Sequence, residues 1–199
     1  MSAGISESKR ALRREVAAVL KAMTVAERRD ASARARALLA AQAEWRAARS
    51  VLFYAPLAEE VDVWPLAGEA LAAGKRVVLP RFAPETGRYV ACQVEDLARD
   101  LKAGHFGIGE PAAHCAAFSS KWLDLLLVPG VAFDLHGRRL GRGKGYYDQL
   151  LAGARGVMCG VAFDQQIVRH VPVGPQDIQV NCILTPTRWI GRRGRAVLA

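Results

Sequence analysis

Residues 137–148 of the chain read GRRLGRGKGYYD: Gly137, Gly141, Gly143 and Gly145 alternate with Arg138, Arg139, Arg142 and Lys144, and Tyr146, Tyr147 and Asp148 follow. Glycines let a backbone approach a ligand closely and adopt conformations that a Cβ forbids. Successive backbone N–H groups in such a turn form an anion-binding concavity, and guanidinium forks suit phosphate. The chemistry implied is a phosphate cradle; a solvated basic turn is the plainer alternative. Neither common nucleotide pattern fits. Counted from Gly137, the sixth position of G-x-x-x-x-G-K-[ST] is Arg142, and Lys144 is followed by Gly145; G-x-G-x-x-G fails because Gly145 comes one residue early.

Such a loop needs a rigid frame. The apolar run 123–128 predicts a buried strand immediately before it, and 146–152 predicts a helix after it. Upstream, 6–23 and 25–49 read as two helices, the second opened by a capping box of Thr24 and Glu27. Short apolar strands are expected at 50–54, at 75–79 (stopped by Pro80), at 156–162 and at 183–184. A helix is expected from about Asp62 to Ala73, a hairpin over 81–95 and a loop over 102–120. Strands alternating with helices predict an α/β fold, a three-layer sandwich whose mainly parallel sheet carries helices on both faces. In such sheets ligands bind at the carboxyl ends of strands, where the glycine loop falls.

The length of 199 residues and 51% apolar content suit a single domain over 1–199 with a sizeable core. No apolar run approaches the ~20 residues of a membrane span, and the polar, basic N-terminus has no secretory pattern. Cys92, Cys115, Cys159 and Cys182 are too scattered for a disulfide framework or zinc site, so a cytoplasmic protein is expected. The formal charge of +9 suggests nucleic acid, an acidic membrane or small anionic substrates. Without a nucleic-acid motif, small polyanions are the expected partners, with neither nucleic acid nor membrane. His105, His114, His136 and His170 lack metal spacing, and His114 beside Cys115 is not a convincing nucleophile pair.

The segment PGVAFD at 129–134 followed by RLGRGKGYYD at 139–148 closely resembles the signature of the 5-formyltetrahydrofolate cyclo-ligase (methenyltetrahydrofolate synthetase) family. KRALR at 9–13, EVD at 60–62, FGIGEP at 106–111, VAF at 161–163 and Asp177 extend the resemblance along most of the chain. It implies a ligase that uses ATP and Mg2+ to close 5-formyltetrahydrofolate into 5,10-methenyltetrahydrofolate, releasing ADP and phosphate through a phosphorylated N5-formyl intermediate. The implied ATP site comprises Lys9, Arg10, Ala11, Leu12 and Arg13 with Arg139, Leu140, Gly141, Arg142, Gly143, Lys144, Gly145, Tyr146 and Tyr147. Ala55, Glu60 and Phe106, with Arg142, Gly143, Lys144, Gly145 and Tyr146, are implied to meet the folate; which of Glu59 and Glu60 points inward is open. Arg142 and Lys144 are the expected catalytic pair, and Asp148 and Asp177 the magnesium positions. Asn181 stands where the family often has an acid. A monomer is expected. The alternatives are an ATP-binding relative with a changed second substrate and a basic nucleic-acid-binding protein.

Overall fold

The computed structural model describes residues 2–104, 107–191 and 196–198. Helices α1 (Ser2–Ala22), α2 (Val25–Ala40) and α3 (Ala43–Ala47) precede strand β1 (Ser50–Leu52), helix α4 (Trp64–Ala72), β2 (Arg76–Ala83) and β3 (Arg88–Val94). Then come β4 (Leu101–Ala103), β5 (Gly109–Pro111), β6 (Leu125–Pro129), β7 (Ala132–Asp134), β8 (Arg139–Leu140) and α5 (Tyr146–Leu151). The described chain closes with β9 (Val157–Val161), β10 (Ile167–Val168), β11 (Cys182–Leu184), β12 (Arg188–Gly191) and β13 (Ala196–Leu198).

The main sheet has the order β13-β12-β11-β9-β6-β1-β2-β3. Its five central strands, β11 to β2, are mutually parallel, while β3, β12 and β13 add antiparallel edges. Successive strand residues face opposite sides of a sheet, and the core divides accordingly. Val51, Phe53, Val77 and Leu79 pack with Leu39, Trp45, Leu66 and Ala67 from α2, α3 and α4. Leu52, Val78, Leu126 and Val128 pack with Leu150 and Leu151 of α5 on the other face. The expected three-layer α/β architecture is what the chain adopts. Among the described residues no helix is long and apolar enough to cross a membrane.

The predicted capping box is present: the Thr24 hydroxyl accepts from Glu27 N–H at 3.2 Å, and Glu27 Oε2 accepts from Thr24 N–H at 2.7 Å. Pro80 does not stop its strand. Arg76 N–H donates to Arg49 O and Val78 O accepts from Phe53 N–H, so the even-numbered residues of β2 face β1. The paired residues of β1 end at Leu52, so Pro80 has no ladder bond to lose. The region 102–120, expected as loop, contains the β4–β5 pair, and 129–148 contains the β7–β8 hairpin, which pairs with β10 in a separate small sheet. Of the arginine-rich C-terminal segment, 188–191 pairs as β12 on β11, with Arg188 held by Asp164 at 3.3 Å.

Candidate active site

From β1 the chain moves outward to β2, then returns to the other side of β1 to lay down β6, β9 and β11. The reversal leaves a crevice at the carboxyl ends of β1 and β6, the place where open α/β sheets bind ligands. A cleft of about 820 Å³ lies there, lined by Tyr54 and Ala55 after β1 and by Pro129 and Gly130 at the end of β6. That volume is near the upper end of the ~300–1,000 Å³ usual for small-molecule sites.

Local chemistry explains how each wall is held. Beyond β1, the buried Tyr54 hydroxyl donates to Val61 O at 2.6 Å, and Leu57 N–H donates to Glu60 Oε2 at 3.0 Å. This closed loop turns Glu60 inward, its side chain 11% exposed, and leaves Glu59 at 45%. Beyond β6, the fully buried Asp134 accepts N–H bonds from His136, Arg138 and Val171, which fixes the β7–β8 turn. Gly137 closes that turn at φ +79°; a Cβ there would sit 2.4 Å from Val180 O. Gln166 also holds the carbonyls of Gly130 and Val131, at 2.8 and 3.0 Å. Ile5, Ser6, Lys9 and Arg13, on one face of α1, close the cleft.

The cations of this site differ in how they are held. Arg139, 3% exposed, donates to Asp148 Oδ1 at 2.7 Å and lies over the Tyr147 ring at 5.9 Å. Its Nε is buried without a hydrogen-bond partner. Arg13 Nε donates to Gly141 O at 2.8 Å, tying α1 to the glycine loop. Lys9 is paired with Asp177. Arg142 reaches across to Glu59 and Glu60, at 3.0 and 3.2 Å. Lys144 is exposed and makes no hydrogen bond or ion pair among the described residues.

Burial raises the Glu60 pKa, and the Leu57 N–H and Arg142 offset this only partly. Burial opposes ionisation of Asp177 too, but the Gly174 N–H and Lys9 outweigh it, so its pKa is lowered. Burial pushes the Tyr54 and Tyr147 hydroxyls well above the usual phenol value. An aromatic wall continues from there: Tyr146 sits 5.2 Å from Tyr89 and 5.5 Å from Phe82, ring centre to ring centre.

The cleft thus gathers Lys9, Arg13, Ala55, Glu60, Asp148, Asp177 and every residue from Arg139 to Tyr147. Arg10 and Ala11 are exposed and outside its lining, and Leu12 packs against the core instead. Phe106 lies outside the described residues. The Asn181 side chain accepts from Met158 N–H at 2.8 Å, so it serves the start of β9. Tyr89, Pro80, Leu57 and Ile108 also line the cleft, and no local pattern in the sequence singles them out. His114 and Cys115 form a separate knot. His114 Nε2 meets Asp100 Oδ1 at 3.1 Å, and the Cys115 thiol donates to the Asp100 backbone carbonyl.

A crevice at a sheet reversal, lined by a basic glycine loop, a buried carboxylate and aromatic rings, marks an α/β protein with the layout of an enzyme's ligand cleft. Sequence comparison makes this specific: residues 5–186 match the model of the 5-formyltetrahydrofolate cyclo-ligase family, and the chain belongs to that family. It is accordingly a ligase. The 5-formyltetrahydrofolate cyclo-ligase of Escherichia coli K12 is 32% identical over 145 residues, covering 71% of this chain and 80% of that protein. The mouse enzyme of the same name is 27% identical over 192 residues, covering 90% and 94%. The solved structure of Aquifex aeolicus 5,10-methenyltetrahydrofolate synthetase superposes with a TM-score of 0.84 at 34% identity, covering 96% of each chain. A Mycoplasma pneumoniae synthetase shares the fold, with a TM-score of 0.71 at 23% identity over 89% of this chain and 98% of that one.

Proposed function

We propose that this chain cyclises 5-formyltetrahydrofolate to 5,10-methenyltetrahydrofolate at the expense of ATP, and that both substrates meet over the glycine loop. The observation that carries the reading is the meeting, in one cleft, of the buried Glu60 carboxylate with Lys9, Arg13, Arg139, Arg142 and Lys144. A carboxylate accepts paired hydrogen bonds from an amino-pyrimidinone edge, and Tyr146 and Tyr89 offer apolar faces to a pterin.

In the proposed reaction the N5-formyl oxygen attacks the γ-phosphorus of ATP, the bond to ADP breaks, and an iminium phosphate forms. N10 adds to the activated carbon, its proton passes to water, and phosphate leaves. Phosphoryl transfer asks a protein chiefly for alignment and charge neutralisation. Lys144, without a partner among the described residues, and Arg142 would follow the transferring group, while Lys9 and Arg13 would steady the other phosphates. Magnesium takes oxygen ligands and needs one or two protein carboxylates beside phosphate. Asp148 and Asp177 line the same cleft as the loop; among the described residues the hydrogen bonds of Asp148 fall on Oδ1 and those of Asp177 on Oδ2, which leaves one carboxylate oxygen of each for a cation, and this donor set fits. They would hold the ion, which supplies neutralisation of phosphate charge.

The test mixes the protein with MgATP and 5-formyltetrahydrofolate and follows the absorbance of methenyltetrahydrofolate. ATP-dependent product is expected. Absence of product across the pH range where the protein is folded overturns the reading, and ATP binding without folate binding points to a changed second substrate.

A further inference from the structure

Arg142 and the two glutamates stand on opposite walls of the cleft, one on the loop between β8 and α5, the others on the loop after β1. The guanidinium nevertheless bridges both carboxylates through Nη2, at 3.0 Å from Glu59 and 3.2 Å from Glu60. Glu60 Oε2 is occupied by Leu57 N–H, so Arg142 is the cation that serves Oε1. Glu59 is half-exposed, does not line the cleft and has no part in the chemistry proposed above.

We propose that Glu59 is a positioning residue which, together with Glu60, latches Arg142 across the cleft mouth and so makes ATP and the folate bind cooperatively. The proposal rests on the functional reading of the cleft. Phosphates bind Arg142 by drawing it off the carboxylates, which leaves the buried Glu60 without its cation. A pterin edge binds Glu60 by displacing the same guanidinium. Either ligand alone must therefore open the latch, whereas two ligands open it once. A cost shared between two binding events is a coupling free energy, and it acts with the same factor in both directions. Arg142 and Glu59 are each about half exposed, 49% and 45%, which places the coupling at the low end of the usual range, about fivefold.

The test is calorimetric titration of the full chain in Mg2+ with the β,γ-imido analogue of ATP and with 5-formyltetrahydrofolate, each alone and with the other saturating. Each ligand is expected to bind about fivefold more tightly in the presence of the other. Glu59→Gln keeps shape while removing the charge. It is expected to tighten each ligand alone and to shrink the coupling to about twofold or less, leaving affinity in the ternary complex unchanged. A merely structural role would weaken both ligands in both states, and the thermal midpoint recorded alongside verifies folding. Ligands that bind without influencing each other, or a coupling that survives Glu59→Gln intact, overturn the latch and leave the functional reading standing. Failure of the folate to bind at all overturns both.

Discussion

Arg139, in β8, and Arg142, on the loop that follows, are three residues apart, and each meets a carboxylate, yet they are held differently. Arg139 is 3% exposed and fastened to Asp148, to the Pro129 carbonyl and to the face of Tyr147. Arg142 is 49% exposed and shares one nitrogen between two acids of the opposite wall. Lys144, two residues on, has no partner among the described residues. A pair with one partner buried and its geometry fixed is framework: Arg139 lies in the interior, and Asp148, 23% exposed, keeps only part of its water. A half-exposed, shared pair is a provisional contact that a stronger anion can replace. The segment therefore passes from scaffold to exposed cleft surface within six residues, and net charge alone conceals the change.

The sharpest way to break this contrast is to remove one charge from each end. Under the proposed function Lys144→Ala lowers kcat/KM by roughly 10²–10³, the usual cost of losing one preorganised group on developing charge. Its unfolding free energy in urea should stay within about 0.5 kcal/mol of the parent, since the side chain is exposed and without a partner among the described residues. Arg139→Met is expected to do the reverse in kind and to destabilise the fold by about 2–3 kcal/mol in urea titration, because Asp148 loses its partner. A destabilised Lys144→Ala, or an Arg139→Met variant of parental stability, would dissolve the distinction between scaffold and surface.

The difference was only partly legible beforehand. Residue types and order identified the glycine loop, and apolar runs identified the parallel strands, because both signals are local. The reversal at β1 that creates the crevice was not legible, since strand order depends on which helix covers which face. In α1 the contiguous run 9–13 could not be used whole. A helix turns about 100° per residue, so Lys9 and Arg13 reach the cleft while Arg10 and Ala11 face solvent. The choice between Glu59 and Glu60 was settled by the Tyr54–Val61 and Leu57–Glu60 hydrogen bonds, which no spacing announces. Asn181 lies outside the cleft lining, its amide oxygen accepting from the Met158 N–H at the start of β9.

A smaller perturbation probes the joint between the two ends. Gly143 sits at φ +99°, and a Cβ there would come within 3.4 Å of the Arg13 guanidinium. Gly143→Ala therefore strains the loop by about 1–2 kcal/mol without deleting a charge. The expected result is a thermal midpoint lowered by roughly 2–8 °C together with weaker nucleotide binding, both milder than the Lys144 and Arg139 effects. An unchanged midpoint would mean that the exposed half of the loop readily abandons its left-handed turn.

The mildest test asks whether Arg142 fully compensates Glu60. Burial raises the Glu60 pKa above 4.5 despite Arg142 and the Leu57 N–H, so the folded protein holds this proton to higher pH than the unfolded chain does. Between 4.5 and the raised value the native state binds more protons, so this group's contribution to stability falls as pH rises through that window. Glu60→Gln cannot titrate, so its stability relative to the parent should rise from acid toward neutral pH. Asp177, with its lowered pKa, pulls in the opposite sense but is present in both proteins and cancels in their difference. Urea titrations of the pair at several pH values measure that difference directly. A variant-minus-parent stability that falls toward neutrality would show Arg142 to be a full structural partner like Arg139; one that rises marks Glu60 as a carboxylate held in the folded protein at a cost.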